Sequence, residues 1–197
     1  MEHPDTIKSM ANLACTYNFM GKYTEAEKLE IPVLDARKRI LGVEHPDTMR
    51  SMANLACTYR ELGKYTEAEK LEILVLDARN RILGVEHPDT IFAMAHLAIT
   101  YGSLGEYTES EKLEIQVLDA RNRILGVEHP HTILAMENLA ATLRSLGKCK
   151  EAEKLVLQAQ KVNSRILVPK SHSTILTTAN VQEAQANSTM DFEKKGV

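Results

Sequence analysis

The chain has 197 residues, 44% of them hydrophobic, which is enough for a packed core in a domain of ordinary size. Charged residues make up 26% and the formal net charge is -3, so there is no global positive field to draw in nucleic acid or an anionic membrane surface. No apolar run reaches the roughly 18 residues of a membrane span, and the opening MEHPDTIKSM lacks the charged-then-apolar layout of a secretory signal, so a cytoplasmic protein is expected.

The first motif, His3-Pro4-Asp5-Thr6, returns as His45-Pro46-Asp47-Thr48, His87-Pro88-Asp89-Thr90 and His129-Pro130-His131-Thr132, a step of 42 residues each time. Four copies are expected over about 3–44, 45–86, 87–128 and 129–170. The chain opens directly on this motif, which suggests a piece of a longer protein.

Within a copy the second shows the pattern most plainly. Met49, Met52, Ala53, Leu55, Ala56, Tyr59 and Leu62 recur at threes and fours and form one apolar face of a first helix. Gly63 ends it, and Thr66 with Glu69 reads as the capping box of a second helix, as do Thr24 with Glu27 and Thr108 with Glu111. That helix runs through Ala68, Leu71, Val75, Leu76, Ala78, Ile82 and Leu83 to Gly84, and Pro88 opens the next copy. Small residues at Ala14, Ala56, Ala98 and Ala140, and at Ala26, Ala68, Ser110 and Ala152, allow the two helices to approach closely. Pro32 stands alone inside a second helix, where it removes a hydrogen bond to the Lys28 carbonyl and predicts a bend. One hairpin cannot bury its apolar face alone, so the copies must stack in a line, giving an all-α solenoid. From Ser171 the register continues weakly through Thr174, Ile175, Asn180 and Val181, which predicts a fifth incomplete copy or capping helix over 171–185 and a mobile tail over 186–197.

The run Asn54-Leu55-Ala56, Tyr59, Gly63, Tyr65, Glu67-Ala68 resembles the tetratricopeptide signature. The 42-residue step with its Leu83-Gly84-x-x-His87-Pro88 linker is similar to the kinesin light chain type, and also to repeats at the C-termini of fungal NLR-like proteins. The resemblance covers about 3–167 and implies a superhelix whose first helices line a concave groove. It also implies a large aromatic where this chain has Glu30, Glu72 and Glu114, with Val156 in the last copy. Arg37, Arg79 and Arg121 lie two turns further on, and a line of Glu–Arg pairs between copies is expected to hold those glutamates.

Carried onto this sequence, the groove positions with side chains suited to contact are Lys8, Asn12, Arg50, Asn54, Arg60, His96, Asn138 and Arg144, with Asn18 beside them. The asparagines recur at one site, and an amide both donates and accepts, so the row can grip an extended backbone or bond among its own neighbours. Lys8, Arg50, Arg60 and Arg144 outnumber Glu61 and Glu137, which favours an acidic segment. Copies one and two differ at only seven sites, among them Lys8/Arg50, Asn18/Arg60 and Phe19/Glu61 on or beside this groove.

No other chemistry competes. His3, His45, His87 and His129 are one per copy and too far apart to share a metal with bonds of about 2 Å, so they read as linker residues. Cys15, Cys57 and Cys149 are odd in number and lack C-x-x-C spacing. Gly63-Lys64 and Gly147-Lys148 lack the rest of a phosphate-binding loop. The expected function is a non-enzymatic scaffold, without cofactor or metal, that binds a peptide or folded protein. Two alternatives are the sensor region of an NLR-like switch and a cargo adaptor of the kinesin light chain type; no heptad segment is present to couple to a motor.

Overall fold

The computed structural model describes residues 3–165. The capping helix and tail expected beyond 170 lie outside the described residues. Within them the elements are α1 (Pro4–Phe19), α2 (Tyr23–Leu41), α3 (Pro46–Glu61), α4 (Tyr65–Leu83), α5 (Pro88–Leu104), α6 (Tyr107–Leu125) and α7 (Pro130–Ser145). An eighth helix, α8, covers 149–165. No strand occurs among the described residues. The helices pack in serial order, α1 on α2, α2 on α3 and so on to α6 on α7, as a linear stack of hairpins requires.

Local chemistry sets these boundaries. Each odd-numbered helix begins at a proline, whose missing N–H falls where no helical partner exists. The histidine before it is not a mere linker: its Nδ1 accepts from the backbone N–H two residues on, at 3.1 Å for His45 to Asp47 and 3.1 Å for His87 to Asp89. The helix ends where Gly63 turns to φ 73°, which lets the Lys64 N–H donate back to the Tyr59 carbonyl at 2.8 Å. At the far end of the hairpin Gly84 takes φ 87° and ψ 163°, a region open only to glycine.

The capping boxes expected at Thr24, Thr66 and Thr108 do not form. Helices α2, α4 and α6 each begin one residue earlier, at tyrosine, and the preceding Lys22, Lys64 or Glu106 makes no side-chain cap bond. The threonine is therefore already inside the first turn. Glu27 and Glu111 instead meet Lys64 and Lys148 of the following hairpin, both at 2.6 Å.

The core follows the small-residue pattern. Ala26, Ala56, Ala68 and Ala152 are fully buried, and Ser110 keeps the same site by donating its hydroxyl to the Ala98 carbonyl at 2.8 Å. Met52, Leu55, Val75 and Ala78 join Leu34 of the preceding hairpin and Ala93 of the next in one apolar cluster, so the core is continuous across hairpin junctions. Ile82 and Leu83, by contrast, leave this face near the helix end and stand well exposed with Val85, as do Ile40, Leu41 and Val43. Pro32 does not end α2, which has the same 19 residues as α4 and α6.

The expected Glu–Arg ladder is replaced by a different arrangement. Arg37 donates to the Asp47 carbonyl at 3.1 Å and to the Ser51 hydroxyl at 2.7 Å, while Arg79 and Arg121 donate to the Asp89 and His131 carbonyls at 2.9 and 2.8 Å. A guanidinium two turns beyond the glutamate reaches the start of the next helix before it can fold back along its own. The glutamates are buried instead. Glu30 accepts from Asn18 at 3.0 Å, and Glu72 lies 3.5 Å from Arg60 of its own hairpin. Burial pushes all three carboxyls up, Glu114 to about 7, with Thr142 opposing and Glu111 adding to the rise.

Candidate functional site

The exposed side chains of α1, α3, α5 and α7 form one continuous face. Their helices are positioned by the histidine caps at one end and the glycine turns at the other, so equivalent residues line up hairpin after hairpin.

Of the eight residues singled out, Lys8, Asn12, Arg50 and Arg144 are exposed on this face. Lys8 and Arg50 lie together on a cavity of about 430 Å³ with Asp5, Arg37, Ile40 and Asp47, at the junction of the first two hairpins. Arg50 also pairs with Asp47 one turn before it. The equivalent junction between α5, α6 and α7 holds a cavity of about 370 Å³ in which Phe92 replaces the lysine and His131 the aspartate. The cavity of the first junction therefore carries more charge than that of the last, beside which Phe92, Ile99 and Leu134 are exposed.

The amide row is only partly open. Asn54 is half-buried, with its amide nitrogen 3.7 Å from the Cys15 sulfur of the neighbouring hairpin. Asn138 is half-buried beside a slot of about 10 Å³ that it shares with Glu114 and Arg121. At the middle junction the same slot widens to about 180 Å³, lined by Asn54, Cys57, Glu72, Arg79, Phe92 and His96. His96 sits there with its ring 4.3 Å from that of Phe92. Burial first, then Arg60, Arg79 and Arg121, hold its pKa down to about 4, so it is a neutral polar group near pH 7.

Two expected contacts point inward. The Arg60 guanidinium donates to the His96 carbonyl at 3.3 Å and approaches Glu72, which removes it from the surface charge of this face. Asn18 donates to both Glu30 and the Thr58 hydroxyl, at 3.0 and 2.9 Å, and so ties two hairpins together. The sequence pattern did not reveal the junction cavities or their aliphatic walls. Their one visible sign was the repeated Ile-Leu-Gly-Val at the ends of the first three hairpins, where apolar residues run past the last buried position.

Among the described residues no three His, Cys, Asp or Glu side chains come together as a metal set, and Cys15, Cys57 and Cys149 are free thiols. No helix among them is long and apolar enough to cross a membrane.

Models of the tetratricopeptide repeat match residues 6–47, 48–89 and 95–164. A search of curated proteins by sequence returned no match. Among solved structures, the chain is similar to the nearly identical TPR-like repeats of a Podosopora anserina protein described as a kinesin light chain. That likeness has TM-score 0.75 and 29% identity, covering 84% of this chain and 79% of that one. The chain is also similar in fold to BtubC (BKLC) from P. vanneervenii, with TM-score 0.75 and 19% identity, covering 84% of this chain and 66% of that one. The apo form of RapI shares the fold at TM-score 0.71 and 13% identity, covering 84% of this chain and 58% of that one.

Proposed function

Because the chain belongs to the tetratricopeptide repeat family, we propose that it is a non-enzymatic scaffold that holds an extended, acidic peptide segment along the face of α1, α3, α5 and α7. The observation that carries this reading is the exposed Lys8 and Arg50 pair beside a cavity of about 430 Å³, followed along the same face by the half-buried Asn54 and Asn138. Around that junction Lys8, Arg37 and Arg50 outnumber Asp5 and Asp47, so its rim attracts carboxylates, and amides spaced one per hairpin suit a backbone ladder. Helices about 10 Å apart, against about 3.3 Å per residue of extended chain, give about three ligand residues per hairpin. The apolar stretch at Phe92, Ile99 and Leu134 then takes the side chains at the far end of the segment.

The test is fluorescence anisotropy with labelled ten-residue peptides, one set with clustered Asp and Glu and a matched set with Asn and Gln. Acidic peptides bind more tightly, by about tenfold or more, and lose that preference in high salt. The double substitution Lys8→Glu and Arg50→Glu abolishes the preference without changing the melting temperature, since both side chains are exposed. Equal binding of the two sets, or acidic binding indifferent to salt, contradicts the reading.

A cargo-adaptor role is favoured by the 29% identity to the kinesin light chain-like repeats. It uses the same face and differs in what the bound segment belongs to.

A further inference from the structure

Three slots lie at equivalent places between successive hairpins, and they differ in size. The middle one holds about 180 Å³, the first and the last about 10 Å³ each. Positions one 42-residue step apart line them: Ala53, Glu72, Val75, Arg79, Ala93 and His96 in the middle, and Ala95, Glu114, Val117, Arg121, Ala135 and Asn138 in the last. Five of these six pairs are the same residue type, so His96 in place of Asn138 is the one difference among them. In the first slot that place is again an asparagine, Asn54, and Ser51 stands for Ala93.

The opening follows from the imidazole. Phe92 precedes His96 by one helical turn in α5, and the two rings meet at 4.3 Å, tilted by 56°. Arg50 and Leu134 hold the place of Phe92 in the neighbouring hairpins. Contact with Phe92 keeps the histidine ring at the mouth, and the space closed at the other two junctions stays open. Asn54, Cys57 and Phe92 then join its lining.

Size, charge and hydrogen bonding together select an occupant. An apolar cavity of roughly 150 Å³ holds one benzene ring, and Ala53, Val75, Phe92 and Ala93 give this slot walls of that kind. Glu72 is 5% exposed, and its Oε2 has no hydrogen-bond partner among the described residues. Glu30 and Glu114 keep the same unpartnered oxygen, but a slot of about 10 Å³ has room for a water and nothing larger. Only in the middle is there room for a ligand that brings the missing donor. Arg79 and Asn54 line the same slot, and their N–H groups call for an acceptor. A charged ligand is disfavoured in either sign. A cation meets Arg79, with Arg60 3.5 Å from the other oxygen of Glu72, an anion meets Glu72 itself, and each must shed its water against apolar walls. A carboxamide donates and accepts on separate atoms of one plane and carries no charge. Asn and Gln side chains bear that group without a ring, so the fit is to a free molecule and not to a residue of the held segment.

We propose that the slot between α3, α4 and α5 binds a small uncharged molecule made of one aromatic ring and a carboxamide, the ring against Val75 and Phe92 and the amide against Glu72 and Arg79. His96 is the residue that opens the site.

The probe is benzamide, titrated into the full chain and followed by proton–nitrogen NMR. Saturable one-to-one binding is expected, with a Kd of about 1 mM or tighter, and the backbone signals that shift are those of Ala53, Cys57, Val75 and Ala93. Benzoate, benzylammonium and toluene match the size but lose the neutrality or the amide, and each binds more weakly by about tenfold or more. His96→Asn restores the residue of the two closed slots and weakens benzamide by about tenfold or more. Should that variant not fold, the ligand series on the parent chain decides the matter alone. The proposal is overturned if benzamide binding does not saturate, if the shifts lie away from this slot, if toluene or either ion binds as well as benzamide, or if folded His96→Asn keeps the parental affinity. No peptide takes part, so failure here leaves the acidic-peptide reading standing, and equal binding of the two peptide sets leaves the slot standing.

Discussion

Glu114 is a carboxyl placed where its charge is disfavoured, and that has a consequence for stability. Its folded pKa of about 7 lies above the ordinary 4.5, so the folded chain holds this proton more tightly than the unfolded one. The stability it confers is complete below pH 4.5 and is lost as the pH rises through 7. Replacement by Gln keeps the shape and removes the titration. Glu114→Gln is expected to match the parent near pH 4 and to exceed it by on the order of 2 kcal/mol at pH 8, read from urea unfolding at the two values. His96 works in the opposite sense. Its pKa of about 4 lies below 6.5, so its stability is present above 6.5 and lost as the pH falls through 4. Residue size was readable from the sequence: the Ala and Ser positions predicted to sit between helices are the fully buried ones. Side-chain direction was less readable. Arg60 and Asn18 lie at the edge between two faces, and which way they turn depends on Glu72 and Glu30, buried partners that a single helix pattern does not locate. The histidine caps were missed because an imidazole accepts a backbone N–H only in one tautomer and rotamer, and the commoner caps are hydroxyls and carboxylates.

Between helices, the ion pairs show where one junction differs from its neighbours. Lys64 and Lys148 each reach a glutamate of the preceding hairpin at 2.6 Å, but the third hairpin has Glu106 at that position. Glu69 and Glu106 both push the Tyr101 phenol upward after the larger effect of its burial. Glu106→Lys supplies the lysine that makes the pairing seen at the other two junctions. A gain of about 1 kcal/mol is expected, seen as a raised melting temperature that shrinks in high salt. No gain at low salt contradicts this account of the junction. The existence and order of the helices were legible from the spacing of apolar residues and from Gly and Pro. Their first residues were not, because Thr66 fits either a cap or a first-turn site, and α4 in fact starts at Tyr65. The arginines were read as partners of Glu30, Glu72 and Glu114 because spacing along one helix is visible in sequence. The carbonyls they actually reach belong to the next helix and are not.

A stack in which each hairpin rests only on its neighbours behaves as a one-dimensional array. The period itself made this order legible, since identical faces repeated every 42 residues can be satisfied only by identical contacts repeated in series. The junction cavities were not legible, because they arise from what is missing against a surface and not from any residue type. The same logic makes a whole hairpin removable. Deleting residues 45–86 brings α2 against α5, a junction whose donor residues Glu30, Val33, Leu34 and Arg37 match Glu72, Val75, Leu76 and Arg79. Small-angle X-ray scattering of that deletion is the decisive measurement. A folded particle shortened by about 10 Å along its long axis is predicted, whereas an expanded, unfolded profile or an unchanged length would contradict serial stacking.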